Sequence, residues 1–153
     1  MQPRIVVVGS LNMDMSLGVM RLPRQGETTT ALSARFSPGG KGANQALAAA
    51  QLGARVSMVG AVGADTQGDE LVGNLSKARV CVDWIARETE STTGMAVIVV
   101  DEAGQNSIVV WPSANDALSP DRVREAEGAI SGSQALIVQF ETPVAGVEEA
   151  LGI

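Results

Sequence analysis

The chain contains no histidine and no tyrosine, a single cysteine, two phenylalanines and two tryptophans. Without histidine, Ser–His–Asp and Cys–His nucleophile systems are excluded, and so are most zinc sites. One cysteine, Cys81, can form neither an internal disulfide nor a thiolate cluster. It lies in an apolar stretch, where an inert thiol is the ordinary outcome, and a reducing, cytoplasmic setting fits it. Few aromatics leave the core to Val, Ile, Leu, Ala and Met. Positive charge is also short. Eleven Lys and Arg against 17 Asp and Glu give a net charge of −6, the wrong sign for a nucleic-acid partner, although local binding of an anion such as a nucleotide stays open. There is no long hydrophobic run. The apolar stretch near the N-terminus is too short for a signal peptide or a membrane span, so no membrane partner is expected.

What is present suffices for one domain with a real core: 153 residues, 45% of them apolar. Ile5 to Val8 is a continuous apolar run ending at Gly9, the pattern of a strand buried on both faces in a parallel sheet. Similar strands are expected over 54–62, 80–86 and 135–140, and helices over 43–52, 66–79 and 120–130. Asp65 and Ser119-Pro120 read as helix starts, and Thr142 reads as the cap of a last helix from Pro143. Strands at 15–19, 28–36, 93–101 and 106–111 break this rhythm. Gly104 marks a hairpin between the last two. They are expected to form a small antiparallel sheet apart from the parallel core. The fold class is therefore α/β: a mostly parallel sheet flanked by helices, with an antiparallel flap.

The chain is organised around Ser37 to Leu52, SPGGKGANQALAAAQL. Three glycines lead into an alanine-rich helix whose small residues allow close approach to a sheet. Such a turn can be purely structural, or its helix start can receive a polar or anionic ligand. The spacing fits neither a Walker A loop nor GxGxxG, which argues against a dehydrogenase half. Lys41 and Asn44, on the first turn, could both point at one small polar molecule. Asn12 and Asp14 follow the first strand, where open α/β sheets bind ligands, and where Asn and Asp also make turns.

These residues resemble the ribokinase-like, or pfkB-type, carbohydrate kinases. The matching pieces are collinear: Gly9-Ser10-Leu11-Asn12-Met13-Asp14, Pro23-x-x-Gly26-Glu27-Thr28, Gly39-Gly40-Lys41-Gly42-Ala43-Asn44-Gln45-Ala46 and Leu52-Gly53-Ala54, followed by Gly60-Ala61-Val62-Gly63-x-Asp65-x-x-Gly68, Thr93-Gly94, Ser113-Ala114-Asn115 and Gln139-x-Glu141-x-Pro143. The resemblance implies ATP-dependent phosphorylation of a pentose, D-ribose first, with other sugars or nucleosides of the family as the alternative. It implies a sugar site made by Asn12, Asp14, Gly40, Lys41, Asn44 and Glu141. The flap would be a lid, near 15–36 and 94–111, that covers the sugar and pairs two subunits into a homodimer. Met95, Ala96, Ile108 and Val110 would be lid or interface residues, with plain strand core as the competing reading. Full-length members are about twice as long. The resemblance therefore implies that these 153 residues are the N-terminal half, without the catalytic base, the anion hole or most of the ATP pocket. Mg2+ and a monovalent cation would serve the whole enzyme, with no metal ligand here. Asp65-Thr66-Gln67-Gly68-Asp69 superficially matches the family's cation motif but lacks its Ala-Gly pair. A truncated module that self-associates through its lid is the second expectation.

Overall fold

The computed structural model describes residues 2–153. Strands β1 (Arg4–Val8), β4 (Arg55–Gly63), β5 (Cys81–Glu88) and β8 (Ala135–Val138) form one sheet in the order β5-β4-β1-β8, every pair parallel. A parallel sheet needs cover on both faces. Helices α1 (Lys41–Gln51) and α2 (Thr66–Lys77) cover one face, where Ala46, Leu71 and Leu75 meet Val7, Met58 and Val62. On the other face α3 (Pro120–Arg124), α4 (Glu127–Ser131) and α5 (Val144–Gly152) bring Val123, Ile130 and Ala150 against Val6, Val8 and Val59. Alternate strand residues thus feed opposite cores. Full burial of each such side chain contributes about 1.5–3 kcal/mol. No described helix is long and apolar enough to cross a membrane.

A second sheet joins β2 (Asn12–Gly18), β3 (Ser33–Gly39), β6 (Gly94–Val100) and β7 (Asn106–Trp111) in the order β3-β2-β6-β7. Its outer pairs are antiparallel, but the middle pair β2·β6 is parallel, so the sheet is mixed where an all-antiparallel one was expected. The reason lies in the connections. The two hairpins enter separately from the first sheet, each with its first strand running outward, and those first strands pair.

Local departures from the expected elements have visible causes. Thr28 to Leu32 are not strand; β3 starts at Ser33 and runs through Pro38 to Gly39, because an ordered loop built on Glu27 occupies the link. The helix expected over 120–130 breaks where Ala126 takes φ −97° and ψ 9°. Ser119 does cap α3, accepting from the Arg122 amide, with Pro120 in its first turn. Thr142 caps nothing. Pro143 occupies the cap position of α5, and the buried Thr142 hydroxyl has no partner among the described residues. The expected loop at 112–116 is a 3-10 helix, Ser113–Ala117.

Candidate functional site

The site lies where β1 and β8 end and α1 begins. Gly40 makes the junction possible. Its φ is 90°, and a Cβ there would lie 2.7 Å from the Asn12 amide nitrogen and 2.8 Å from the Ser10 carbonyl oxygen. Only glycine meets both conditions. With no side chain to cap α1, the orphan donors of its first turn turn to neighbours. The Ala43 amide donates to the Ser10 carbonyl at 3.0 Å, and the Gly42 amide to Ser10 Oγ at 3.4 Å. The Lys41 amide donates to Glu141 Oε2 at 3.5 Å. The helix start expected to receive a ligand therefore already holds a carboxylate, that of Glu141, where the helix dipole favours negative charge.

Glu141 is the centre of the arrangement. Its Oε2 accepts from Ser10 Oγ at 2.8 Å, and its Oε1 accepts from Lys41 Nζ. Burial alone would push its pKa up, but the hydrogen bonds from Lys41 and Ser10 outweigh burial and hold it below the ordinary carboxylate value. Asp14 shows the reverse. Burial, then the nearby charge of Glu141, raise its pKa, and Lys41 only partly offsets them. The Asp14 carboxylate lies directly against Gly39, two residues before Lys41, and Lys41 in turn holds Glu141, so the three charged groups border one space.

Asn12 and Asp14 point to one face of β2, as residues two apart must. Asn12 is buried, and its Oδ1 accepts from Asn115 Nδ2 at 2.8 Å. Gly40 is buried beneath it. Asn44 is exposed one turn into α1; its amide continues the helix by donating to Gly40, and among the described residues its side chain has no hydrogen-bond partner. The six residues thus divide: Asp14, Lys41 and Glu141 converge, Asn12 and Gly40 form the floor beside them, and Asn44 stands at the rim.

Sequence reasoning assigned no role to Asn115 and Gln139, which hold this floor, and gave Asp65 only the role of a helix cap. Asn115 Oδ1 accepts from the Leu11 amide at 2.8 Å, while its Nδ2 donates to Leu11, Asn12 and Pro112 oxygens. Gln139 accepts from the Ser10 amide and donates to the Val8 carbonyl, tying the ends of β1 and β8 together. Asp65 caps α2 and also accepts from the Thr93 amide at 2.7 Å and the Thr93 hydroxyl at 2.6 Å, anchoring the strand that leads into β6. Each stands in a motif quoted above, but a motif does not say which backbone group its side chain will satisfy.

The lid candidates divide as well. Ala96, paired with Asp14 and Val110, is buried, and Met95 is half-buried. Ile108 and Val110 are exposed on β7, the outermost strand. Chemically, the centre offers two carboxylates and one ammonium already paired with one of them. That suits a neutral guest rich in hydroxyl donors better than a polyphosphate. Among the described residues no group of three or more His, Cys, Asp or Glu could hold a metal ion.

A model of the pfkB family of carbohydrate kinases matches residues 2–151. The chain belongs to the pfkB carbohydrate kinase family. A ribokinase of Haemophilus influenzae is 39% identical over 153 residues, all of this chain and 50% of the relative. The ribokinase of Bacillus subtilis is 42% identical over 145 residues, 95% of this chain and 49% of the relative. Among solved structures, ribokinase from Thermotoga maritima superposes with a TM-score of 0.86 at 35% identity, over 98% of this chain and 49% of that one. Ribokinase of Arabidopsis thaliana, complexed with ribose and ATP, gives 0.80 at 31%, over 98% and 50%. The chain thus has the ribokinase-like α/β fold and spans about half the length of the pfkB relatives it matches.

Proposed function

We propose that this chain is the sugar-binding part of an ATP-dependent, cytoplasmic pentose kinase, with D-ribose as the substrate and ribose 5-phosphate as the product. The observation that carries the reading is the meeting of Asp14, Lys41 and Glu141 beside Asn12. Asp14 accepts protons from sugar hydroxyls; a carboxylate that has lost water and gained a like-charged neighbour has the most to gain from such donors. The Lys41–Glu141 pair supplies one donor and one acceptor to further hydroxyls. Asn12, locked by Asn115, fixes the floor, and Asn44 closes the rim. The second sheet acts as the lid, with Ala96 above the sugar. ATP, Mg2+ and a monovalent cation belong to the whole enzyme. Phosphoryl transfer needs charge stabilisation of the transferred group, which this acidic site does not offer, so the isolated chain is inactive as a kinase.

The test is phosphorylation of D-ribose by the intact gene product, read as ADP release, with Asp14→Ala. Loss of turnover and of ribose binding is expected. A variant that phosphorylates ribose normally would refute the site, and an intact protein that prefers another sugar would refute the substrate.

One observation favours a second property, pairing of two chains through the lid. Strand β7 is exposed along its whole length and carries Ile108, Val109, Val110 and Trp111 on an unpaired sheet edge. Bare apolar edges invite pairing. Sedimentation of the wild type as a dimer, and of Val109→Lys as a monomer, is expected. A wild-type monomer at high concentration would remove the homodimer.

A further inference from the structure

The opposite end of the parallel sheet carries a feature the sugar site does not use. An open cavity of about 880 Å³ lies beneath the strand starts, between the ends of α1 and α2 on one side and α4 on the other. Arg4, Arg55 and Arg79 line it, and no acidic residue does. None of the three has a carboxylate partner among the described residues, whereas five of the chain's other cations are paired. Arg4 and Arg55 are direct partners on adjacent strands, and like charges placed so oppose each other. Arg79 is held at φ 63°, a left-handed backbone that a residue with a Cβ adopts at a cost.

A structural explanation exists: basic side chains sit favourably at helix C-termini. Arg4 Nε does donate to the Gly132 carbonyl at 2.8 Å at the end of α4. The charge does not balance, however. Three helix ends supply roughly half a negative charge each, while three guanidinium groups supply twice that in positive charge. All three arginines are exposed, and their excess of positive charge in a chain of net charge −6 favours an anion from solution. We propose that this cavity binds a phosphorylated small molecule, whose phosphate oxygens take the free guanidinium donors of Arg4, Arg55 and Arg79. Arginine's fork of N–H groups matches phosphate in pairs, and the cavity has room for an organic group beyond the phosphate.

Inorganic pyrophosphate is the probe, titrated into the chain by calorimetry, with sodium chloride holding the ionic strength constant. Saturable single-site binding is expected. Arg55→Gln should weaken it by about tenfold, or 1.4 kcal/mol. Arg79→Gly should weaken it similarly without lowering the melting temperature, because glycine accepts the left-handed backbone freely. That variant separates loss of the site from loss of the fold. Lys41→Gln, in the sugar site, and Arg35→Gln, on β3, should leave binding unchanged. Absence of saturable binding would overturn the proposal, as would an unaltered affinity in Arg55→Gln or an equal loss in Lys41→Gln. The first two outcomes leave the reading of the sugar site untouched; only the Lys41→Gln result would bear on it.

Discussion

The two four-stranded sheets are both rich in aliphatic residues, and they use them oppositely. In the parallel sheet Val7, Val8, Met58 and Val59 are wholly buried between helices. In the mixed sheet Phe36 is 57% exposed, Val109 68% and Trp111 60%. Apolar composition therefore does not predict burial. The first sheet is enclosed by helices on both faces, whereas the second leaves its outer strands β3 and β7 largely open to solvent.

Core truncation tests this most severely. Leu71→Ala removes a buried side chain of α2 packed on the parallel sheet, and a loss of about 2–5 kcal/mol is expected from urea unfolding. Val109→Ala in the mixed sheet should cost no more than about 0.5 kcal/mol. Equal losses would mean that the second sheet is as much core as the first.

The joint between the sheets comes next. Asn115 satisfies the buried Leu11 amide and fixes Asn12 at the start of β2. Asn115→Ala strands that amide, and a loss of about 1–3 kcal/mol is expected in the same measurement. Asn115→Asp should be no better, because its second oxygen would face the Leu11 and Pro112 carbonyls and Asn12 Oδ1, which now accept from Nδ2. An Asn115→Ala variant as stable as the wild type would show that the Leu11 amide finds another partner.

How legible the molecule was in its sequence follows the same division. Ile5 to Val8 and the run around Met58 announced themselves, because a strand buried on both faces leaves an unbroken apolar signature. The mixed sheet was located, but its parallel middle pair was not, since pairing direction depends on where two distant hairpins enter. Asp14, Lys41 and Glu141 were legible as types in a pattern. Their roles as a raised carboxylate, a paired ammonium and the occupant of the α1 start were not, for those arise from contacts over some hundred positions. Thr142 misled because a Thr before Pro looks like a cap, whereas Pro143 itself took the cap position.

Acid titration should separate the two carboxylates by smaller effects. Glu141 has a folded pKa below its unfolded value, so its contribution to stability is complete above the ordinary 4.5 and disappears as pH falls through the folded value. Asp14 works the other way. Its pKa is raised above 3.8, so its ionised form opposes folding at neutral pH, and that opposition fades on acidification. Asp14→Asn should therefore raise stability at neutral pH, and Glu141→Gln should flatten the acid limb of the stability curve. Parallel curves for wild type and Glu141→Gln would show that the α1 start does not need its carboxylate.

The smallest effect is expected in the loop joining β2 and β3. Glu27 accepts from both terminal nitrogens of Arg21, at 2.6 and 3.1 Å, and from the Arg24 amide at 2.9 Å. The hydrogen bond from Arg21, then that from Arg24, bring its pKa down to about 2. A carboxyl titration by NMR should find Glu27 the most acidic of these groups. Both side chains are exposed, however, and water screens such contacts so well that their shifts do not translate into stability. Glu27→Gln should leave the urea midpoint unchanged while loosening amide protection in β3, whose outer edge has no strand beside it. If the midpoint fell as far as in Leu71→Ala, the division between a sheet enclosed by helices and a sheet open to solvent would fail, because an exposed loop of the second would then be governing the first.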